Sequence, residues 1–160
     1  MLELLLISLS TSRTIYMKKL GTILSLFTVP HDKEQVATDT LLVDTKGILG
    51  DKHYDKNNER AILITASDSY RLVERELGIT LPKGYLGENL LVSESPYHLE
   101  PGTQLSIGET VLEITQGCTL CKHLATLDKR IPKLLKDDRG IFAKVVKEGE
   151  ITSGEDIYIK

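Results

Sequence analysis

The sequence predicts a mainly β domain, closed or strongly curved, with a few peripheral α-helices. Three observations carry this. Apolar stretches are short, closely spaced and rich in β-branched residues, and Gly, Asp or Pro bounds several of them, which is how strands punctuate a sequence. Gly108-Glu109 lies between Ile107 and Thr110, a two-residue connection with glycine first that suits a type II′ hairpin. Helical periodicity is scarce. Many short strands in one domain leave many open edges, and closing the sheet removes them.

Taken in order, the first strand is expected around residues 20–27, with Met17-Lys18-Lys19 before it. Residues 1–10 are apolar but carry Glu3 and no preceding Lys or Arg, so they lack the basic region that opens a secretory signal. Met17 reads as the natural start, which makes residues 1–16 an appendage and 17–160 a single domain. Further strands are expected within 36–43, 61–65, 89–92, 104–107, 111–115 and 157–159. Ser67 is placed to cap a helix, with Asp68 in the first turn where the macrodipole favours an acid. Tyr70, Val73 and Leu77 then share a face, and Gly78 can close the helix with positive φ. A second helical region covers 122–128 and resumes after Pro132. Gly149-Glu150 and Ser153-Gly154-Glu155 read as turns.

Composition narrows the function. The chain has 160 residues, enough for one domain with a real core. Twenty basic side chains face twenty-three acidic ones, for a net charge of −3, and phosphate-dependent nucleic-acid binding favours the opposite balance. Trp is absent and aromatics make up 5%, which disfavours a base-stacking platform. No apolar run approaches the roughly 18 residues that span a bilayer. The expectation is a cytoplasmic protein with no nucleic-acid or membrane partner. Two cysteines at C-x-x-C spacing, without an export signal, then read as reactive or metal-related.

That pair, Cys118-Thr119-Leu120-Cys121, follows the predicted strand VLEIT and admits four readings. A redox pair fits the strand–CxxC–helix order, because a helix N-terminus lowers a thiol pKa. A structural zinc site would need four ligands, and there is no second C-x-x-C. Two small buried thiols are the plain alternative. The fourth reading is a single thiolate ligand to a soft metal centre. Elsewhere, Gly47-Ile48-Leu49-Gly50-Asp51-Lys52-His53 suggests a tight turn in which Asp51 accepts a hydrogen bond from His53 and fixes its tautomer. Asn89, in Gly87-Glu88-Asn89, offers a donor and an acceptor to a heterocycle edge or a phosphate oxygen. Arg139, beside Gly140, suits an anion, and Lys33 sits in a polar loop before a strand.

Together these segments resemble the MOSC domain, the family named for the C-terminal domain of molybdenum cofactor sulfurases, in its short stand-alone bacterial form. The resemblance runs in order through GILGDKH (47–53), RAILITASDSYRLVEREL (60–77), GENLLV (87–92) and PGTQLSIGETVLEIT (101–115). It continues through CTLCKHL (118–124), RGIFAKVVKEG (139–149) and SGEDIYI (153–159). It implies a β-barrel fold with a cleft near one family cysteine, at the position of Cys121. In enzymatic relatives that cysteine is the thiolate ligand of molybdenum in a pterin-bound cofactor, and the substrates are N-hydroxylated small molecules, purine bases among them. Cys121 is thus the implied catalytic and metal-binding residue, with Cys118 its neighbour. Lys33, Thr65, Ser67, Asn89 and Arg139 fall where relatives meet the cofactor, and Asp51 and His53 match a pocket-forming turn. Electrons would come from a partner flavoprotein or iron–sulfur protein, since the chain carries neither a Rossmann glycine fingerprint nor a four-cysteine cluster set. Pyridoxal phosphate is not expected, because it belongs to a separate domain of the long sulfurases. One departure stands out: where many relatives have Arg-x-Pro before the cysteine, this chain has Cys118-Thr119-Leu120, which removes a cation. Two other roles remain open, a sulfur carrier with a persulfide on Cys121 and a non-catalytic cofactor-binding module.

Overall fold

The computed structural model describes residues 4–8, 14–119 and 124–160. Strand β1 (Leu4–Ser8) forms a hairpin with the start of β2 (Thr14–Thr28). Then come β3 (Val36–Thr38), β4 (Thr40–Asp44), β5 (Gly47–Ile48), β6 (Ile62–Ala66), helix α1 (Ser67–Leu77) and β7 (Leu90–Val92). The β8 (Gln104–Ile107) and β9 (Thr110–Gly117) strands precede the short helices α2 (Leu124–Leu127) and α3 (Arg130–Leu134). Last are β10 (Ile141–Lys147), β11 (Gly149–Thr152) and β12 (Asp156–Ile159). No helix among the described residues is long and apolar enough to cross a membrane.

Seven strands close into a barrel in the order β2-β12-β8-β9-β10-β6-β7, and β7 returns to β2. The expected closed β architecture is therefore present. Its pairings are antiparallel except β6 with β7, where α1 supplies the crossover that parallel neighbours need. Period-2 alternation fills the interior: Ile62 and Ile64, Leu90 and Val92, Leu105 and Ile107, Leu112 and Ile114 all point into one core. Strand β6 is buried at every position because its other face is covered too. A second apolar cluster of Val73, Leu86, Leu124, Ile131 and Leu135 holds α1 against α2 and α3. A small sheet, β11-β4-β5, packs beside the barrel.

Several local expectations are met. Gly108 takes φ 58° at the β8–β9 turn and Glu109 does not share a positive φ, as a type II′ turn requires. Gly78 ends α1 at φ 68°, and its N–H reaches the Glu74 carbonyl. Tyr70, Val73 and Leu77 share the packed face of that helix.

Other expectations are corrected. The first barrel strand runs over Thr14–Thr28 rather than 20–27, because it pairs in turn with β1, β12, β7 and β3. Ser67 is the first helical residue, not the cap. Ala66 holds the cap position, and Ser67 Oγ donates to the Ser93 carbonyl at 3.4 Å. The second helical region is two short pieces, with Pro132 inside α3, where the first-turn N–H has no intrahelical partner to lose. Gly149-Glu150 is not a turn but the start of β11, paired with Val43 and Leu42.

Candidate functional site

A cleft of about 580 Å³ opens where the ends of β2, β6 and β9 meet the loop after β5, within the size range of small-molecule sites. Lys52, His53, Lys56 and Asn57 of that loop and Arg60 of a 3-10 turn (Asn58–Arg60) form one side. Val29, Gln35, Leu63, Asn89, Cys118, Arg139 and Phe142 contribute most of the rest, with Ala61 and Gly87 between them. Among the described residues four cationic side chains line the cleft and no carboxylate does, although the chain as a whole is acidic. A wall with this excess of basic side chains suits an anion.

The loop is held by one buried carboxylate. Asp51, 2% exposed, accepts from Thr28 Oγ1 (2.9 Å), Val29 N (2.8 Å), His53 N (2.8 Å) and His53 Nδ1 (2.8 Å). Burial pushes its pKa up, but these hydrogen bonds outweigh that and hold it below the ordinary carboxylate value. Gly50, at φ 84°, lets the chain turn immediately before it. Lys52 N then donates to Val29 O, which ties the loop to the end of β2. The expected Asp51–His53 hydrogen bond is thus present, and it leaves the imidazole on the cleft wall.

The opposite wall is built around Arg139, 5% exposed. Its Nη2 donates to the Leu86 carbonyl (2.9 Å), and its Nη1 points at Cys118 Sγ (3.6 Å). Cys118 is buried beside Leu63 and Phe142, and its N–H reaches the Gly140 carbonyl. A cation therefore reaches the cysteine loop from a different part of the chain, across 21 residues of sequence. Arg60 stacks its guanidinium 4.6 Å from the Phe142 ring centroid. Its Nε is buried and meets no acceptor among the described residues.

The other residues singled out from the sequence are placed as follows. Asn89 lines the cleft, but its amide is engaged as a clamp: Oδ1 accepts from Leu63 N (2.9 Å) and Nδ2 donates to Phe27 O (3.2 Å), joining β6 to β2. Thr65 is fully buried, with Oγ1 donating to the Arg139 carbonyl at 3.0 Å, so it positions the segment before β10 that presents Arg139. Ser67 lies at the start of α1 and Lys33 is exposed on the β2–β3 turn; neither is on the cleft wall. Cys121 lies outside the described residues. Among the described residues no three His, Cys, Asp or Glu side chains gather as a metal site. Sequence reasoning missed Lys52, Lys56 and Arg60. The signal available was the cluster of basic residues in KHYDKNNER directly after the glycine-rich turn.

Behind the wall, Glu88 is wholly buried and accepts the Tyr70 hydroxyl at 2.8 and 2.6 Å. Burial pushes its pKa up, against the opposing pull of Tyr70 and of the Arg139 charge. Burial and the Glu88 charge also push the Tyr70 phenol up.

Comparison with known proteins fits this geometry. The YuaD protein from Bacillus subtilis superposes with a TM-score of 0.76 at 17% identity, over 99% of this chain and 98% of that one. YiiM from Escherichia coli gives 0.65 at 18% identity, over 85% and 69% of the two chains. YiiM from Geobacillus stearothermophilus gives 0.66 at 18% identity, over 88% and 73%. At these identities the likeness is one of fold. No curated protein matches the sequence. A sequence model of the MOSC domain matches residues 50–158, which is more than half of the chain and includes most of the cleft wall. The chain belongs to the MOSC domain family.

Proposed function

We propose that the cleft binds a molybdenum cofactor by its anionic pterin portion and that the protein, in the cytoplasm, uses it to reduce N-hydroxylated small molecules. The observation that supports this is the composition of the wall: Lys52, Lys56, Arg60 and Arg139 with no carboxylate among the described lining residues, in an acidic protein. The Arg60 Nε, buried without an acceptor among the described residues, fits a ligand oxygen in the same place. In this reading Lys52 and Lys56 neutralise the phosphate as point charges, and Arg60 supplies a directed donor. Cys121, three residues beyond Cys118, is the thiolate ligand of the metal. Arg139 takes the place of the cation that the Cys118-Thr119-Leu120 sequence lacks, held by Leu86 O and by Thr65 on its own carbonyl. Asn89 fixes the rim through its bonds to β6 and β2, while Ser67 and Lys33 lie off the wall. The bound group would supply two-electron oxygen-atom transfer, with electrons from an external flavoprotein or iron–sulfur protein.

The test is metal and pterin content of protein made in a host competent for molybdopterin synthesis. Molybdenum and pterin are expected to co-purify, Cys121→Ser to lose the metal, and Lys52→Gln with Lys56→Gln to lower pterin content. No molybdenum in the wild type, or undiminished loading in Cys121→Ser, overturns the assignment. A mass gain of one sulfur atom on Cys121 without pterin replaces it with a sulfur carrier.

A further inference from the structure

We propose that His53 is the proton donor of the cleft and delivers its proton from Nε2. The inference rests on reading the cleft as a reduction site, and the geometry around the ring carries it. The side chain of His53 is 60% exposed, on the side of the cleft that also carries Lys52 and Lys56. Its other nitrogen is committed: Nδ1 lies 2.8 Å from Asp51 Oδ1. That carboxylate also receives Thr28 Oγ1, Val29 N and His53 N, so it presents only acceptors, and Nδ1 must carry the hydrogen. The proton that the ring gains and loses is then the one on Nε2, the atom left free. Donation from Nε2 leaves the Nδ1–H tautomer, the form Asp51 already holds, so no ring flip or second proton shift intervenes. The mount is stiff as well, because the His53 backbone N–H binds the same carboxylate and Lys52 N is tied to β2.

The rest of the wall offers no equivalent. The other described titratable residues there are Lys52, Lys56, Arg60, Arg139 and Cys118. Lysine and arginine present donors only, whereas a neutral imidazole has both a donor and an acceptor nitrogen and so can pass a proton on. Cys118 is buried against Arg139. The reaction needs such a group. Reducing R–NH–OH to R–NH2 and water consumes two electrons and two protons. The N–O bond breaks, nitrogen takes one proton, and the hydroxyl oxygen leaves as water with the other. The electrons come from the external flavoprotein or iron–sulfur donor. His53 supplies one proton at the bond being broken and is reprotonated from solvent through its exposed edge.

Two measurements test this. Nitrogen-15 NMR of the imidazoles in the protein without cofactor, with His53 assigned by its loss in His53→Gln, is expected to show a neutral ring protonated at Nδ1 and bare at Nε2. A neutral ring protonated at Nε2 overturns the proposal whatever the enzyme does. In molybdenum-loaded protein assayed on a hydroxylamine or amidoxime, His53→Gln is expected to retain metal and KM and to lose about 100-fold or more in kcat. A loaded His53→Gln protein with kcat close to wild type also overturns it. Loaded wild type with no reductase activity defeats the cleft assignment instead, a result the NMR experiment separates from failure of the His53 role.

Discussion

Asp51→Ala removes the carboxylate that organises the cleft loop, and the structure sets the size of the effect. Three donors other than the imidazole lose their acceptor: Val29 N, His53 N and Thr28 Oγ1. The hydroxyl can turn to another acceptor, but the two backbone N–H groups cannot. Each costs about 1–3 kcal/mol when fully buried and unanswered, and both sites are only partly buried, so the substitution should cost about 2–3 kcal/mol. For a chain of this size that lowers Tm by roughly 5–10 °C. Asp51→Asn keeps one carbonyl-type acceptor and should fall between the two. Urea unfolding followed by circular dichroism measures the difference, with an unchanged m-value marking a pure stability effect. The pH dependence has a definite sign. The folded-state pKa lies below the ordinary 3.8, so the carboxylate's contribution is present above that value and is lost as the pH falls through the folded-state pKa. The gap between wild type and Asp51→Ala should therefore narrow as the pH drops below 3.8. An Asp51→Ala protein within about 1 kcal/mol of wild type at neutral pH would refute the claim that this carboxylate holds the loop.

Three further outcomes follow from the same structure. Glu88 has a folded-state pKa raised above 4.5, so the wild type loses stability as the pH rises from 4.5 through the folded-state value; Glu88→Gln should improve relative to wild type over that interval, and a pH-independent difference in urea midpoints would count against it. Gly140→Ala places a Cβ 2.8 Å from Leu63 Cδ1 and 3.2 Å from the Ile64 carbonyl, which should cost about 1–3 kcal/mol in the same unfolding assay; wild-type stability would mean that β6 can yield. Replacing Lys52, Lys56 and Arg60 together by Gln should abolish the rise in Tm that millimolar pyrophosphate gives the wild type, while equal shifts in both proteins would place the anion elsewhere.

The parts of the fold legible in the sequence are those that local chemistry decides. Glycine at 108 and at 78 needs a positive φ, and the alternation around Leu105–Ile107 and Leu112–Ile114 follows from a one-sided core. What local chemistry cannot decide was missed or misjudged. Gly149-Glu150 has turn composition, yet it is straightened by pairing with β4, more than 100 residues away in sequence. The length of β2 is set by four successive partners, none of them encoded in residues 14–28. The site divides the same way. The Asp51–His53 contact spans two residues and could be read directly. Thr65 and Asn89 read from the sequence as cofactor-binding residues; in the structure Asn89 lines the cleft and Thr65 does not, and their side chains hold the β2–β6 junction and the Arg139 carbonyl, a distinction that depends on folding partners. Arg139 reaches Cys118 only because β9 and β10 are neighbours.

Barrel closure by β12 rests on very little chain. Thr22 pairs with Asp156 and Lys18 with Ile159, while the far side of β12 joins β8. This four-residue strip is all that lies between β2 and β8. Lifting it out would bare the edges of both neighbours at once, so a local opening here would expose two unpaired strand edges to another chain.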